Sequence, residues 1–174
     1  MSNTLVVNLY GGPGSGKSTA AAEVFAQLKA TGVECEMALE KAKDFVYESP
    51  QTLGDQLYIS GLQWHRIYRM LGKTQVIVTD SPILMGAVYC GEAYQKRLAD
   101  LLQVINSGTN RLNFFLERRW GYVKTGRVHS ESEALEVDGS ILKLLDKIKE
   151  PYDFVSRTDR PVTNILDKVM GSLA

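Results

Sequence analysis

The 174-residue chain has few of the features that mark secreted, metal-binding or membrane-spanning proteins. Its two cysteines, Cys35 and Cys90, lie far apart and lack the spacing of metal ligands, which predicts reduced thiols in a cytosol-like compartment. No apolar run approaches the ~18 residues that span a bilayer, and no basic segment opens the chain as in a signal peptide. We therefore expect a cytoplasmic protein without a membrane partner.

An excess of charge of either sign is also missing. Lys plus Arg and Asp plus Glu both number 20, so the formal net charge is zero. Such a chain has no whole-molecule attraction for nucleic acid, and contact with it would need a local basic patch. The length predicts one domain, residues 1–174, with a substantial core, and leaves the oligomeric state open.

The most informative stretch is at 11–19, directly after an apolar run at 5–10. Its residues 11–18 match Gly-x-x-x-x-Gly-Lys-Ser in full. Glycines there let successive N–H groups point at phosphate oxygens, while Lys17 reaches the β- and γ-phosphates and Ser18 is placed to hold Mg²⁺. A plain Gly/Pro-rich turn would not explain Lys-Ser-Thr at the start of an Ala-rich helix. The predicted nucleotide-binding residues are Gly11, Gly12, Pro13, Gly14, Ser15, Gly16, Lys17, Ser18 and Thr19.

Short apolar runs alternate with helical patterns along the chain. The runs predict strands at 5–10, 35–39, 76–80, 112–116 and 152–155. Helices are predicted over 17–30, 40–48, 51–71, 92–105, 131–149 and 161–170, with Ser130 or Ser132 as a cap and 83–89 open between a helical turn and a loop. The alternation predicts an α/β fold whose parallel sheet binds ligands at the carboxyl ends of its strands.

Acids stand where two of these strands end. Asp80 follows the third strand and is a candidate to hold Mg²⁺ or to accept a proton from an attacking hydroxyl; alternatively it caps a turn. Glu40 follows the second strand as a candidate general base or substrate ligand; alternatively it is a solvated first-turn acid. Asp44 would share a helical face with Glu40, or it would pair with Lys41 or Lys43.

The long predicted helix at 51–71 carries polar residues that are candidates for the acceptor site. Arg66 and Arg69 lie three residues apart and would grip a phosphate or stack on a base, with Gln56 as a further ligand. The alternative for each arginine is a basic face turned to solvent.

A polar segment at about 117–130 follows the fourth predicted strand. It concentrates basic residues, aromatics and two glycines, which is typical of an arginine-bearing lid that closes over transferring phosphates. Arg118 and Arg127 are the candidates to neutralise charge in the transition state. The alternative is a solvated basic loop.

The chain resembles small P-loop kinases of the nucleoside and nucleotide kinase group. Five stretches carry the resemblance, at 8–19, 42–48, 55–59, 79–82 and 113–116. They are particularly similar to compact AAA-type ATP-binding proteins that many bacteriophages encode. The resemblance implies a three-layer P-loop NTPase sandwich with a five-stranded sheet in the order 2-3-1-4-5, flanked by helices. Some relatives phosphorylate 5-hydroxymethyluracil within phage DNA, and others act on free nucleosides or nucleotides. A phage-encoded member would work in the host cytoplasm.

The residues and the resemblance together predict a kinase that uses ATP and Mg²⁺. Lys17, Asp80, Glu40, Arg118 and Arg127 would serve catalysis, with Ser18 and Asp80 at the metal. The acceptor would be nucleoside-like, with 5-hydroxymethyluracil in DNA as the narrow expectation and a free nucleoside or nucleoside monophosphate as the alternative. A regulatory ATPase or nucleotide switch is the alternative from another class. Asp80 is followed by Ser81 and Pro82, where nucleotide kinases often carry an acid followed by Arg.

Overall fold

A computed structural model describes residues 3–118, 130–156 and 161–173. Its strands are β1 (Leu5–Tyr10), β2 (Cys35–Ala38), β3 (Val76–Thr79), β4 (Asn110–Leu116) and β5 (Asp153–Val155). Its α-helices are α1 (Lys17–Ala30), α2 (Ala42–Glu48), α3 (Gln56–Tyr68), α4 (Met85–Tyr89), α5 (Glu92–Ser107), α6 (Glu131–Lys147) and α7 (Pro161–Leu173), and a 3-10 helix (Pro50–Gly54) precedes α3. In these three ranges no helix is both long and apolar enough to cross a membrane.

The strands form one parallel sheet in the order β2-β3-β1-β4-β5, which confirms the predicted order and direction. In the centre of the sheet Val7 pairs with Val78 of β3 and with Leu112 of β4. All six residues of β1 are buried, as expected for a strand covered on both faces. The loop that follows β1 therefore leaves the sheet at its centre.

Alternate side chains of β1 supply the cores on the two faces of the sheet. Leu5, Val7 and Leu9 pack in a cluster with α1 and α7, whereas Val6 lies in a cluster with Ile67 of α3. A further cluster joins Tyr10 to residues of α4, α5 and α6. Helices thus cover both faces, which confirms the predicted three-layer arrangement.

Two predicted helices begin later than expected. The pattern at 51–71 breaks at Asp55, whose carboxylate accepts the Tyr58 N–H at 3.0 Å and caps α3, so that a 3-10 helix precedes the cap. The pattern at 40–48 becomes helical from Ala42, since the Glu40 N–H donates to Asp80 instead. The open segment at 83–89 contains the short helix α4.

Helix α6 begins after Ser130, the first of its two predicted caps. Ser130 accepts the Glu133 N–H at 3.3 Å and donates its own N–H to the Glu133 carboxylate, which forms a capping box. The buried residues of α6 are Ala134, Ile141 and Leu145, while Leu135 is 55% exposed. The buried side therefore follows helical spacing along α6.

A buried polar network joins β1, β4 and the end of α6. Glu150 receives two hydrogen bonds from Arg111, at 2.5 and 2.9 Å, and one each from Asn106 and Asn113. Asn113 in turn accepts from Asn8 at 2.9 Å. Burial alone would raise the pKa of Glu150, but its hydrogen bonds, led by Arg111, outweigh burial and lower that pKa.

Replacing Glu150 with glutamine is expected to destabilise the fold by about 3 kcal/mol at pH 7, since it leaves the Arg111 charge without its buried partner. The folded pKa of Glu150 lies below its unfolded value of about 4.3, so the wild-type contribution is present above that pH and is lost on acidification. Urea unfolding at a series of pH values should show the two proteins converging below about pH 4. Glu36→Gln, which breaks an exposed pair with Lys29, should cost at most about 1 kcal/mol and is the control. Equal effects of the two substitutions at pH 7 would contradict the prediction.

Candidate active site

The turn after β1 has the backbone that its glycines predicted. Gly11, Gly14 and Gly16 have φ angles of 141°, 80° and 93°, a region that side chains with a Cβ rarely adopt. Helix α1 then begins at Lys17, so its first N–H groups face the space above the turn. The residues from Gly11 to Thr19 thus have the backbone of a phosphate-binding loop, hereafter the phosphate loop.

Lys17 is half-buried and folds over this loop. Its Nζ donates to the carbonyl oxygen of Gly12 at 2.9 Å. Burial lowers the pKa of Lys17, while the carboxylates of Glu40 and Asp80 act in the opposite direction and favour its charged form. The ammonium is therefore held near two carboxylates at the mouth of the loop.

The two strand-end acids that the sequence singled out are neighbours. Ala38 pairs with Thr79 across β2 and β3, so the residues that follow these strands emerge side by side. Asp80 is 3% exposed, and its Oδ1 accepts the backbone N–H of Glu40 at 2.9 Å. The two acids therefore lie next to each other and close to Lys17 of the phosphate loop.

A cavity of about 350 Å³ opens between the phosphate loop and the helices α2, α3 and α4. Glu40 and Asp80 line it on the sheet side. Its loop side is formed by Pro13, Gly14, Gly16, Lys17, Ser18 and Thr19. Its far side is mainly apolar and is formed by Val46, Leu53, Ile59, Ile83, Met85 and Tyr89.

Three buried polar residues of α3 also line this cavity. Gln56, the predicted ligand, donates to the carbonyl of Leu53 at 2.7 Å, and Gln63 accepts the Lys41 N–H at 2.9 Å. Ser60 lies between them and its Oγ has no partner among the described residues. Ser60 and Gln63 were not predicted site residues, although their spacing of four and seven residues from Gln56 places all three on one helical face.

Gly86 lets α4 approach α3 at this face. A Cβ built on Gly86 would lie 2.0 Å from the Ser60 hydroxyl oxygen. Gly86 and Tyr89 both line the cavity, and neither was a predicted site residue. The cavity wall opposite the acids thus depends on a contact between α3 and α4 that no local sequence motif predicts.

The other predicted acceptor residues lie outside the cavity lining. Asp44 accepts hydrogen bonds at 2.8 Å from both Lys41 and Arg66, and Arg66 also donates to the Leu39 carbonyl at 3.0 Å. The pKa of Asp44 is lowered, and the hydrogen bond from Lys41 is the main cause. Arg69 is an exposed residue at the end of α3. The ion pair that the sequence also allowed for Asp44 is therefore the arrangement found.

Arg118 lies just after the end of β4, where it links the phosphate loop to α6. It donates to the Pro13 carbonyl at 2.5 Å, to the Ala134 carbonyl at 3.2 Å and to Asp138 of α6 at 2.8 Å. Asp138 also accepts the backbone N–H of Gly12. Arg127, the other predicted catalytic arginine, and most of the predicted lid lie outside the described residues.

A second cavity, of about 110 Å³, lies on the other side of the phosphate loop. It is bounded by α1, by the ends of β4 and β5, and by α7, and it shares Gly16 and Thr19 with the larger cavity. The loop thus stands between two spaces, each large enough to hold part of a ligand.

The site also fits the divalent cation that a phosphate loop implies. Ser18 and Asp80, the predicted metal residues, both line the larger cavity and offer hydroxyl and carboxylate oxygens, which Mg²⁺ prefers. No group of three or more His, Cys, Asp or Glu side chains suited to a metal occurs in the described parts of the chain. A cation here would therefore complete its shell with water and phosphate oxygens.

The sheet order, the glycine turn and the lysine over it define the chain as a P-loop NTPase. More specifically, residues 6–161 match the model of the AAA domain family, and the chain belongs to that family. No curated protein sequence matches the chain.

Solved structures with similar folds include two of NadR protein. The structure in complex with NR has a TM-score of 0.71 at 15% identity, and the one with NAD and AMP-PNP has 0.69 at 12% identity. Each alignment covers 98% of this chain, which spans about half the length of the NadR chains, 50% and 48% respectively. Deoxyadenosine kinase from M. mycoides with bound dATP has a TM-score of 0.61 at 15% identity over 97% of this chain and 98% of its own. The TM-scores show a shared fold, and at these identities the similarity extends to the fold alone.

Proposed function

We propose that the protein is an ATP-dependent kinase that transfers the γ-phosphate to a hydroxyl group of a nucleoside-like acceptor. The observation that carries the proposal is the position of the phosphate loop between two cavities, the larger of which contains Glu40 and Asp80. A nucleotide switch that only hydrolyses ATP needs no cavity for a second substrate. Similarity in fold to a deoxyadenosine kinase supports the same choice.

The smaller cavity suits the nucleoside end of ATP. It meets the loop at Gly16 and Thr19, so a nucleotide bound there directs its phosphates across the start of α1 toward Lys17. The loop amides and the Lys17 ammonium would then hold the β- and γ-phosphates. The γ-phosphate would face the larger cavity, where the acceptor lies.

The larger cavity suits an acceptor with an apolar, flat portion and few charges. Its volume of about 350 Å³ falls within the range of small-molecule sites, and its far wall combines apolar side chains with the amides of Gln56 and Gln63. Among the described lining residues, the cations Lys17 and Lys43 are matched by Glu40 and Asp80. This balance favours a free hydroxyl over a phosphate as the accepting group.

The chemistry follows from these positions. The acceptor oxygen forms a bond to the γ-phosphorus as the bond to the β–γ bridging oxygen breaks, which leaves ADP. The hydroxyl proton passes to Glu40 or Asp80, the two acids in the cavity. When bound at Ser18 and Asp80, Mg²⁺ supplies neutralisation of the phosphate charge. We assign the transition-state role among arginines to Arg127 rather than Arg118, which is engaged behind the loop.

The narrower proposal, 5-hydroxymethyluracil within DNA, adds one requirement. A base in a duplex would have to leave the stack to bring its hydroxymethyl group into the cavity, as enzymes that act on bases commonly require. The zero net charge makes strong, salt-sensitive attraction to DNA unexpected. A free nucleoside therefore has the simpler fit.

A transfer assay with γ-labelled ATP and a panel of acceptors tests the proposal. We expect label to reach at least one nucleoside, and the corresponding 5′-monophosphate to be at least about tenfold poorer in kcat/KM, because the described lining offers no surplus of cations for it. DNA that contains 5-hydroxymethyluracil, and the free nucleoside of the same base, form a matched pair within the panel. Label that reaches only water, with each acceptor at saturation, would contradict the kinase and favour the ATPase. A better monophosphate would contradict the hydroxyl preference alone.

A further inference from the structure

An ion pair between Arg118 and Asp138 holds the phosphate loop, and neither side chain lines either cavity. Asp138 accepts the Gly12 N–H with one carboxylate oxygen and the Arg118 guanidinium with the other, at 2.8 Å. Arg118 holds the next loop residue by donating to the Pro13 carbonyl at 2.5 Å. Two consecutive residues of the loop are thus tied to α6 and to the end of β4.

This pair is well shielded from water. The side chains of Arg118 and Asp138 are 11% and 17% exposed, so their charge-assisted hydrogen bonds are stronger than those of a surface pair. Gly12 is itself buried, and its N–H would lose its partner if the carboxylate left. The loop therefore depends on Asp138 for the satisfaction of a buried amide.

Close approach of α6 to the loop requires glycine at position 12. A Cβ built there would lie 2.6 Å from the Ala134 carbonyl oxygen and 2.8 Å from the Asp138 carboxylate. The φ angle of Gly12 is not among the positive values of this loop, so the need for glycine comes from α6 and not from the backbone conformation. Gly12 and Asp138 line neither of the two cavities.

The same contacts reach Lys17. Its Nζ donates to the Gly12 carbonyl, and the N–H of Gly12 is the group that Asp138 holds. A change in the orientation of Gly12 would thus move the acceptor on which the lysine rests. The carboxylate of Asp138 also favours the charged form of Lys17.

We propose that Asp138 and Arg118 are positioning residues that hold Gly12 and Pro13 in the shape that binds the phosphates of ATP. They act through the loop and do not touch the nucleotide. The proposal rests on the assigned nucleotide site, and it gives α6 a role in affinity for ATP in addition to its packing against the sheet.

Asp138→Asn tests this role with little change in shape. An amide keeps one oxygen but would turn an N–H group toward a donor, either Gly12 or Arg118, so the link is broken at one end. We expect the dissociation constant for ATP with Mg²⁺, measured by calorimetry well below each variant's unfolding temperature, to rise by about tenfold or more. Glu136→Gln removes the same charge from an exposed position on α6 and is expected to leave that constant unchanged.

Each outcome decides the question. A rise in the dissociation constant for Asp138→Asn, with no change for Glu136→Gln, supports positioning. An unchanged constant with a lower unfolding temperature shows a purely structural pair and overturns the proposal, and tighter binding shows that Asp138 opposes the nucleotide and overturns it too. If Asp138→Asn does not fold, Arg118→Lys, which cannot reach both Pro13 and Asp138, decides by the same three outcomes. A wild-type chain that binds no nucleotide would overturn this proposal and the proposed function together.

Discussion

Replacing Lys17 with alanine is expected to lower kcat/KM for ATP by about 100-fold or more while leaving the fold intact. Its ammonium lies over the phosphate loop near Glu40 and Asp80, where the proposed reaction would require charge on the transferring phosphate to be balanced. The substitution removes one hydrogen bond, to the Gly12 carbonyl, and also relieves the partial burial of a charge, so little stability is at stake. Phosphoryl transfer and thermal unfolding should be measured on the same preparation.

The matched control lies on the same helix. Lys29→Ala, in the last turn of α1, removes an exposed lysine whose partner is Glu36 at 3.6 Å and is expected to keep full activity. Nucleotide-dependent turnover at the wild-type rate in Lys17→Ala would contradict the assignment of the phosphate site. A large loss of stability in Lys17→Ala would instead show that the loop requires its own lysine in order to fold.

Local signals explain why much of the fold could be predicted from the sequence. The glycines after β1 and the Lys-Ser-Thr that opens α1 lie within one stretch, and the helix bounds at 17–30 are confirmed. The order of the sheet came from resemblance to a family and is confirmed as well. Strand-end acids could be placed together because parallel strands carry their carboxyl ends to one edge.

Contacts between segments far apart in the chain could not be predicted from such local patterns. Asp138 was not a predicted site residue, although it lies four residues after the buried Ala134 and three before the buried Ile141, and an acid on that face is a readable sign of a buried partner. The partner itself, the N–H of Gly12, is a backbone group in another part of the chain. No pattern in α6 alone could name it.

The acceptor side was predicted less well for a related reason. Arg66 is basic and lies near the predicted site, but its guanidinium reaches Asp44 and a backbone carbonyl outside the cavity. Which side of α3 faces the cavity depends on the 3-10 helix and on the packing of Gly86 against Ser60, neither of which has a local motif. The cavity wall formed by α3 and α4 therefore consists of residue types that are also typical of an ordinary hydrophobic core.

Replacing Asp80 with asparagine is expected to lower kcat by about 100-fold, the other large effect that the site predicts. Asparagine can still accept the Glu40 N–H that Asp80 now accepts at 2.9 Å, so the end of β2 should stay in place. What is lost is the carboxylate charge, which in the proposed mechanism would serve either the Mg²⁺ shell or the acceptor hydroxyl. Steady-state kinetics over a range of Mg²⁺ concentrations separate these, since a metal role makes the loss depend on that concentration.

Glu40→Gln is the matched variant, because it removes the neighbouring charge of the same cavity. Whichever acid takes the hydroxyl proton, its substitution should lower kcat by a factor that does not depend on the Mg²⁺ concentration. If Asp80→Asn keeps wild-type kcat at every Mg²⁺ concentration, Asp80 is a structural acceptor for the Glu40 N–H and the reaction does not use its charge. The acid that remains necessary then marks the point in the cavity at which the acceptor hydroxyl must lie, and the orientation of the acceptor against α3 follows from it.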